Sequence, residues 1–399
     1  MNLSEFDHLS KKILYFDNGA TTFKLKSVID ATTDYYTNYP ASVHRGDYDL
    51  SLKVDMVYEQ TREIAAHFIN AKSKNEIIFN GGTTVGINQI ADAFFANILK
   101  AGDEIIISQT EHAANILPWF RLAEDLDLEI KYVPLTDTHE VTLDNLKKVI
   151  TDKTKVVSLA HVTNVIGDTR PVEKIGKYLG DLGIYFVVDA AQSVAREVVD
   201  VQAMNADFLL FSGHKMYAPT GIGVLYGKAP LLKKMEPYQL GGTMNDAFDE
   251  EGSMTYKTIP HKHEAGTPNI AGVIGLNRAL SFLMKTGMET IRGFERDLRT
   301  YALERLSSLK HLDIYNEYTD SANIIFNIRN VFSQDTAVYL NQFGICIRAG
   351  NHCAKIVPNV IGINNTCRIT FAVYNTKEQV DNLVAALRKA ENDVYNNIV

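Results

Sequence analysis

The sequence predicts an α/β fold: a large domain with a mostly parallel seven-stranded sheet between helices, then a smaller C-terminal α+β domain. Three observations predict it. Short β-rich runs recur at 13–17, 76–80, 104–108, 129–133, 156–161, 184–189 and 207–212. Amphipathic segments separate them, the mark of a parallel or mixed sheet covered on both faces. Beyond about residue 275 the alternation gives way to long helical patterns.

Apolar residues three and four positions apart run through 47–70 and 83–100, and Gly102 follows the second stretch as a stop signal. The polar, weakly patterned segment 241–263 reads as a long functional loop or a hairpin. Helices are expected at 273–284 and 288–309, short strands near Ile324 and Cys367, and a final helix at 376–392. The chain thus divides into an N-terminal arm, 1–22, packing with the small domain, a large domain at 23–275 and a small domain at 276–399.

Of the 399 residues 46% are apolar, ample for a large core, and a net charge of -8 without any Lys/Arg-dense stripe argues against a nucleic-acid partner. The first eight residues lack an apolar run, and nowhere do 18 apolar residues follow one another, so a cytoplasmic protein without a membrane partner is expected. Cys346, Cys353 and Cys367, odd in number and irregularly spaced, make neither a disulfide framework nor a metal knuckle. His261 and His263 offer two ligands without a third nearby in sequence, so no metal is expected.

Ligands of an open α/β sheet sit at the carboxyl ends of its strands, so the residues ending the β runs belong together. Lys215 follows the run 207–212 and precedes a Pro/Gly-rich turn; desolvation there favours the neutral amine a Schiff base requires, whereas a surface turn would leave an ordinary solvated lysine. Asp189 ends another run and either caps a helix or keeps a pyridine nitrogen protonated, with Gln192 donating to a ring oxygen. The turn at 80–88 opens a helix with two glycines and two threonines, a phosphate seat in which Thr84 is the side-chain contact, or else a plain loop and cap. It matches neither a P-loop nor a dinucleotide fingerprint. Ser212 and His214 flank the lysine as second phosphate contacts. His112 either lies on a cofactor ring and, as a catalytic residue, exchanges protons near neutral pH, or is an ordinary polar residue, and Asn164 either binds a substrate carboxylate or ring oxygen or stabilises a turn. Together these groups supply a partner for every part of pyridoxal phosphate.

The same segments, with the stretches 344–354 and 366–375 and the run from His263 to Asn269, resemble the fold-type-I pyridoxal-phosphate enzymes of the class-V aminotransferase family, and among them the SUF-type (group II) cysteine desulfurases. The resemblance runs from about Tyr15 to the C-terminal helix. It implies that Cys353 is the nucleophile and persulfide carrier and that Arg368 holds the substrate carboxylate. It makes Lys215 the Schiff-base lysine, Asp189 the pyridine partner and His112 the stacking residue. The resemblance also implies that Thr267 reaches the phosphate of a neighbouring subunit, and with it a homodimer with shared sites. Asn351, Ala113 and the pair Tyr217 and Ala218 depart from the family pattern.

The residues suit that chemistry on their own terms. Arg368 offers a planar fork for a carboxylate, and Arg348 and His352 stand near Cys353 to favour its thiolate, whereas Cys346 and Cys367 occupy apolar runs as small buried hydrophobes. The expected reaction removes sulfur from L-cysteine to leave L-alanine and a Cys353 persulfide, for a sulfur-acceptor or scaffold protein in iron–sulfur cluster or thio-cofactor assembly. A selenocysteine lyase or other class-V enzyme, and a catalytically silent binding protein of this fold, are the alternatives.

Overall fold

The computed structural model describes residues 3–44 and 46–397; the outer ends of the expected arm and small domain, residues 1, 2, 398 and 399, lie outside them. Strands apolar on both faces need cover above and below. In Phe208–Ser212, Phe208 and Leu210 enter one core while Leu209 and Phe211 enter the other. That is the alternation of successive strand side chains. The helices Asp49–Phe68 and Val172–Leu182 cover one face, and Thr83–Ala93 and Leu117–Leu126 the other.

Among the described residues the large sheet has seven strands, in the order Ile77–Asn80, Gly223–Gly227, Phe208–Ser212, Tyr185–Asp189, Thr154–Ala160, Glu104–Ile107, Glu129–Tyr132. Within it only Gly223–Gly227 runs antiparallel to its neighbours. The carboxyl ends of the other strands therefore share one edge.

The expected run 13–17 is not one of the seven. Leu14–Tyr15 pairs with Ile345–Cys346, Phe16 enters the small-domain core, and Asn18 donates to the Thr370 carbonyl at 2.7 Å. Its place in the sheet is taken by Gly223–Gly227, hidden in a stretch whose glycines read as a turn. Gly223 is glycine because a Cβ there would lie 2.4 Å from the Gly82 Cα and 2.5 Å from the Phe211 carbonyl oxygen.

The small domain holds an antiparallel sheet in the order Leu312–Ile314, Asn323–Ile328, Thr366–Thr370, Arg348–Gly350. Two of these strands are too short to leave a periodic signal. Phe326, Ile369 and Leu383 are central to its core, which the helices Met288–Leu306, Ser333–Asn341 and Lys377–Asn397 help enclose. The segment 241–263 contains a hairpin of Asn245–Phe248 and Met254–Tyr256. Among the described residues no helix is long and apolar enough to cross a membrane.

A fully buried ion network braces the loops at the sheet's carboxyl edge. Arg170 pairs with Glu111 and, at 3.4 Å, with Asp168; Glu111 also accepts from the Ala160 N–H at 3.0 Å and the Asn115 amide at 2.8 Å. Groups so far from water are tolerable only when paired or hydrogen-bonded, and these contacts tie Glu111, Asn115, Ala160, Asp168 and Arg170 together.

Candidate active site

The loops leaving that edge converge on a cavity of about 210 Å³, which the small domain closes from the other side. The first wall is the turn from Ile77–Asn80 into Thr83–Ala93. Gly82 has φ +119°, and a Cβ on it would come within 2.8 Å of Ser212 Oγ, so only glycine lets the two loops touch. There the Thr83 N–H donates to Ser212 Oγ at 2.9 Å, and the Ser212 hydroxyl donates to Thr83 Oγ1 at 3.0 Å. First-turn N–H groups lack intrahelical acceptors and carry the positive end of the helix dipole. With the hydroxyls of Thr83, Thr84 and Ser212 on the lining, they form a seat for a phosphate-sized anion. Sequence reasoning selects Thr84 and misses Thr83, since adjacent threonines in a glycine turn give no sign of which faces inward.

Lys215 closes the short turn Gly213–Lys215 and lines the cavity with His214. Burial brings its pKa down to about 8 although Asp189 pulls the other way; burial likewise raises Asp189 to about 6 against the Ala191 N–H, which donates to it at 2.8 Å. His112 and His214 are brought down to about 4, chiefly by burial and then by Lys215, so both are neutral. His112 Nδ1 accepts from the Ala114 N–H at 3.1 Å, which leaves the proton of the neutral ring on Nε2. The His214 carbonyl accepts from the Thr22 N–H, the Thr21 hydroxyl and the Lys24 ammonium, each at 3.0 Å, tying the lysine's turn to the N-terminal segment.

On the opposite wall Arg368 and Arg348 face each other across paired strands, a like-charge pair that needs an anion between. Asp17 supplies it, 3.1 Å from Arg368 Nη2 and 3.7 Å from Arg348 Nη1. Arg368, 2% exposed, also donates to the Asn164 carbonyl at 2.8 Å. Asn164 donates its amide to the His352 carbonyl at 2.7 Å, and Gln192 donates to the Gly19 carbonyl at 2.8 Å while accepting from Arg196. Asp17 and Gly19, absent from the sequence-derived set, carry no local motif; only the fold brings them to an arginine some 350 positions later. A Cβ on Gly19 would stand 2.9 Å from Arg368 Cζ and 2.8 Å from Thr370 Oγ1. Gly19→Ala is expected to displace the guanidinium and raise KM for a carboxylate substrate about tenfold, a loss near 1.4 kcal/mol, with kcat changed far less. Steady-state kinetics on wild type and variant separate the two parameters.

Cys353 is exposed, lines the cavity mouth and follows His352 in two consecutive left-handed residues, φ +53° and +58°. Non-glycine residues hold that conformation only under constraint. The Cys353 carbonyl accepts from the Ala113 N–H at 2.8 Å, and the Asn164 bond fixes the residue before it. The expected help from His352 is not available: the ring is buried against Thr366 Oγ1 at 2.9 Å, and burial with Arg368 pushes its pKa down to about 3, so it carries no positive charge. Arg348 remains as the cation beside the cysteine on the lining. Thr267 is exposed and not on this lining; Cys367 is buried with its thiol pushed up to about 12, whereas Cys346 is only half-buried.

Two observations test the site against pyridoxal phosphate. The seat at Gly82 is a cradle that any Cβ would fill. Among the described residues, Asn164 Oδ1 and Arg368 Nε are buried on the lining with no hydrogen-bond partner, an acceptor and a donor left for a bound polar molecule. With a lowered-pKa lysine, a buried carboxylate and a neutral imidazole between seat and arginine, the residues fit the group.

The profile of the Aminotransferase class-V family matches residues 14–383. A probable cysteine desulfurase of Halalkalibacterium halodurans is 42% identical over 379 residues, covering 95% of this chain and 93% of that protein. A cysteine desulfurase of Yersinia pestis is 40% identical, with 97% of each chain covered. Among solved structures, the cysteine desulfurase CsdA of Escherichia coli, in its S-sulfonic acid form, superposes with a TM-score of 0.91 at 35% identity, over 97% of this chain and 96% of that one. The apo cysteine desulfurase of Thermococcus onnurineus gives 0.91 at 36%, over 95% and 94%.

Proposed function

The chain belongs to the class-V aminotransferase family, and we propose that it serves there as a cysteine desulfurase, converting L-cysteine to L-alanine and carrying the sulfur away as a persulfide on Cys353. One observation carries the reading. An exposed cysteine on a constrained loop stands at the mouth of a cavity whose walls hold Lys215, Asp189 and Arg368. A transaminase built on the same walls has no use for a thiol there.

Pyridoxal phosphate supplies an electrophilic carbon for the substrate amine and a ring that takes up electron density from the substrate Cα. In this reading Thr84, Thr83, Ser212 and His214 hold its phosphate, joined by Thr267 from a second copy of the chain. Asp189 would partner the ring nitrogen, Gln192 the ring oxygen, and His112 would lie on the ring face. Arg368 would take the substrate carboxylate through its planar fork, with Asn164 and Arg348 beside it. Lys215 would anchor the cofactor and serve as the base for the substrate Cα proton. The Cys353 thiolate then attacks the substrate sulfur: a sulfur–sulfur bond forms, the Cβ–sulfur bond breaks, and its electron pair stays with the carbon skeleton, which takes up a proton and leaves as alanine. Cysteine and thiol become alanine and persulfide, so no outside oxidant or reductant is needed.

The persulfide then passes to an acceptor or scaffold protein for iron–sulfur cluster or thio-cofactor assembly, as in a SUF-type enzyme acting as a homodimer in the cytoplasm. Three free cysteines suit a reducing compartment. The test is the yield of alanine from L-cysteine, and of sulfide released from the persulfide by an added thiol reductant, with and without candidate acceptor proteins, beside the same assay on selenocysteine. Equal amounts of alanine and released sulfur are expected. Alanine from selenocysteine but none from cysteine would assign a lyase, and no turnover of either by cofactor-loaded protein would leave a binding protein.

A further inference from the structure

The mechanism leaves His261 and His263 without a role. The fold separates them: His263 Nε2 is committed to the Leu232 carbonyl at 2.9 Å, whereas His261 meets His44 and Glu59, with one ligand atom of each residue within 4.8 Å of the others. These three come from different elements: the loop before the Asp49–Phe68 helix, that helix itself, and the turn His261–His263. The third ligand missing from the linear sequence is supplied by the fold. We propose that His44, Glu59 and His261 form a binding site for a zinc-class divalent cation, with a fourth position open to water.

Two imidazoles and a carboxylate make a donor set that suits zinc, with three protein ligands and one open position. His44 Nε2 lies 3.8 Å from Glu59 Oε1, and the rings of His44 and His261 stand 5.1 Å apart at 75°. Zinc–ligand bonds near 2.1 Å set ligand–ligand edges of about 3.4 Å, so the side chains need close by up to roughly 1.4 Å. His44 is held in advance for this. Its backbone sits at φ +58°, its N–H donates to Asp55 Oδ1 at 2.7 Å, and the same oxygen stands 3.7 Å behind its Nδ1. That leaves Nε2 as the ring nitrogen toward Glu59.

Two cations already reach Glu59: Arg62 Nε donates to its Oε1 at 3.3 Å and Lys74 stands 4.0 Å from its Oε2, while the terminal nitrogens of Arg62 are held by Glu264, at 2.7 and 2.9 Å, and Lys74 is closer to Glu63, at 2.7 Å. A cavity of about 110 Å³ lined by His44, Tyr58, His261 and Lys257 adjoins the two imidazoles, with Glu59 outside its lining, and leaves room for a water beside them. Metal bound there would clip the segment leading into Thr267 to the Asp49–Phe68 helix.

The experiment uses cofactor-loaded protein carrying Cys353→Ser, so that the exposed thiol cannot take the metal. The protein is stripped with a chelator and titrated with Zn²⁺ against a chromophoric competitor. About one Zn²⁺ per chain is expected, with His261→Ala and Glu59→Gln in the same background each weakening binding at least about tenfold. Added zinc should raise the thermal midpoint of the parent and not of these variants. Absence of stoichiometric uptake, or uptake unchanged in both variants, overturns the proposal. Co²⁺ in the parent protein decides without any variant of the three ligands. Intense visible bands of a four- or five-coordinate nitrogen and oxygen site support it, and the weak bands of an octahedral aquo ion refute it.

Discussion

Lys215→Ala is expected to lower alanine formation from L-cysteine by about 10⁴-fold or more, because in the proposed mechanism one substitution removes both the amine that would anchor the cofactor and the base at the substrate Cα. Borohydride reduction followed by peptide mapping should find the cofactor on residue 215 of the wild type and on no residue of the variant. Turnover within tenfold of wild type would mean that a different base does the work. The same amine sets a pH dependence. A lysine is nucleophilic only when neutral, and burial holds this one near 8 rather than at its ordinary 10.5. Covalent capture by cofactor-free protein should therefore quicken about tenfold per pH unit up to pH 8 and level off above it. An increase continuing past pH 10 would show that the amine is not desolvated.

Cys353→Ala should lower sulfur release by at least about 10³-fold while leaving cofactor attachment intact. The two effects separate because Cys353 is bonded to the rest of the site through its backbone carbonyl, which alanine retains, and its side chain is exposed. Alanine also keeps the Cβ that the left-handed backbone already accommodates, so the loop keeps its shape. Alkylation and mass analysis should trap one extra sulfur on residue 353 of the wild type after brief exposure to cysteine, and none on the variant. Full sulfur release by Cys353→Ala would move the nucleophile elsewhere. The other cysteines are poor substitutes: burial raises the thiol of Cys367 to about 12, and burial with Asp17 raises that of Cys346.

Much of this site is legible along the chain because each strand of a parallel sheet ends at the same edge. Asp189 and Lys215 follow strands dense in apolar residues, and their roles come from that position. Where the pattern misleads, the cause is local chemistry overruled by distant contacts. Gly223–Gly227 reads as a turn because glycine is a turn residue, yet here glycine is what lets the strand lie against Gly82. The run 13–17 reads as another strand of the large sheet, yet its anchors are Thr370 and the small-domain core. His352 reads as a cation beside a thiol, and burial makes it neutral.

By itself the sequence determined the fold class and pointed to strand-end groups suited to pyridoxal phosphate. These rest on residue type and short-range periodicity, which survive in one dimension, whereas Cys353 and Arg368 are singled out by the resemblance to SUF-type cysteine desulfurases. The tertiary structure decided which groups meet and in what charge state. Asp17 neutralises two facing arginines, Gly19 makes room for one of them, Asn164 fixes the cysteine loop, and Glu59 and His44 join His261. Each depends on a contact between elements distant in sequence and on how far burial removes a group from water, and neither quantity exists until the chain has folded.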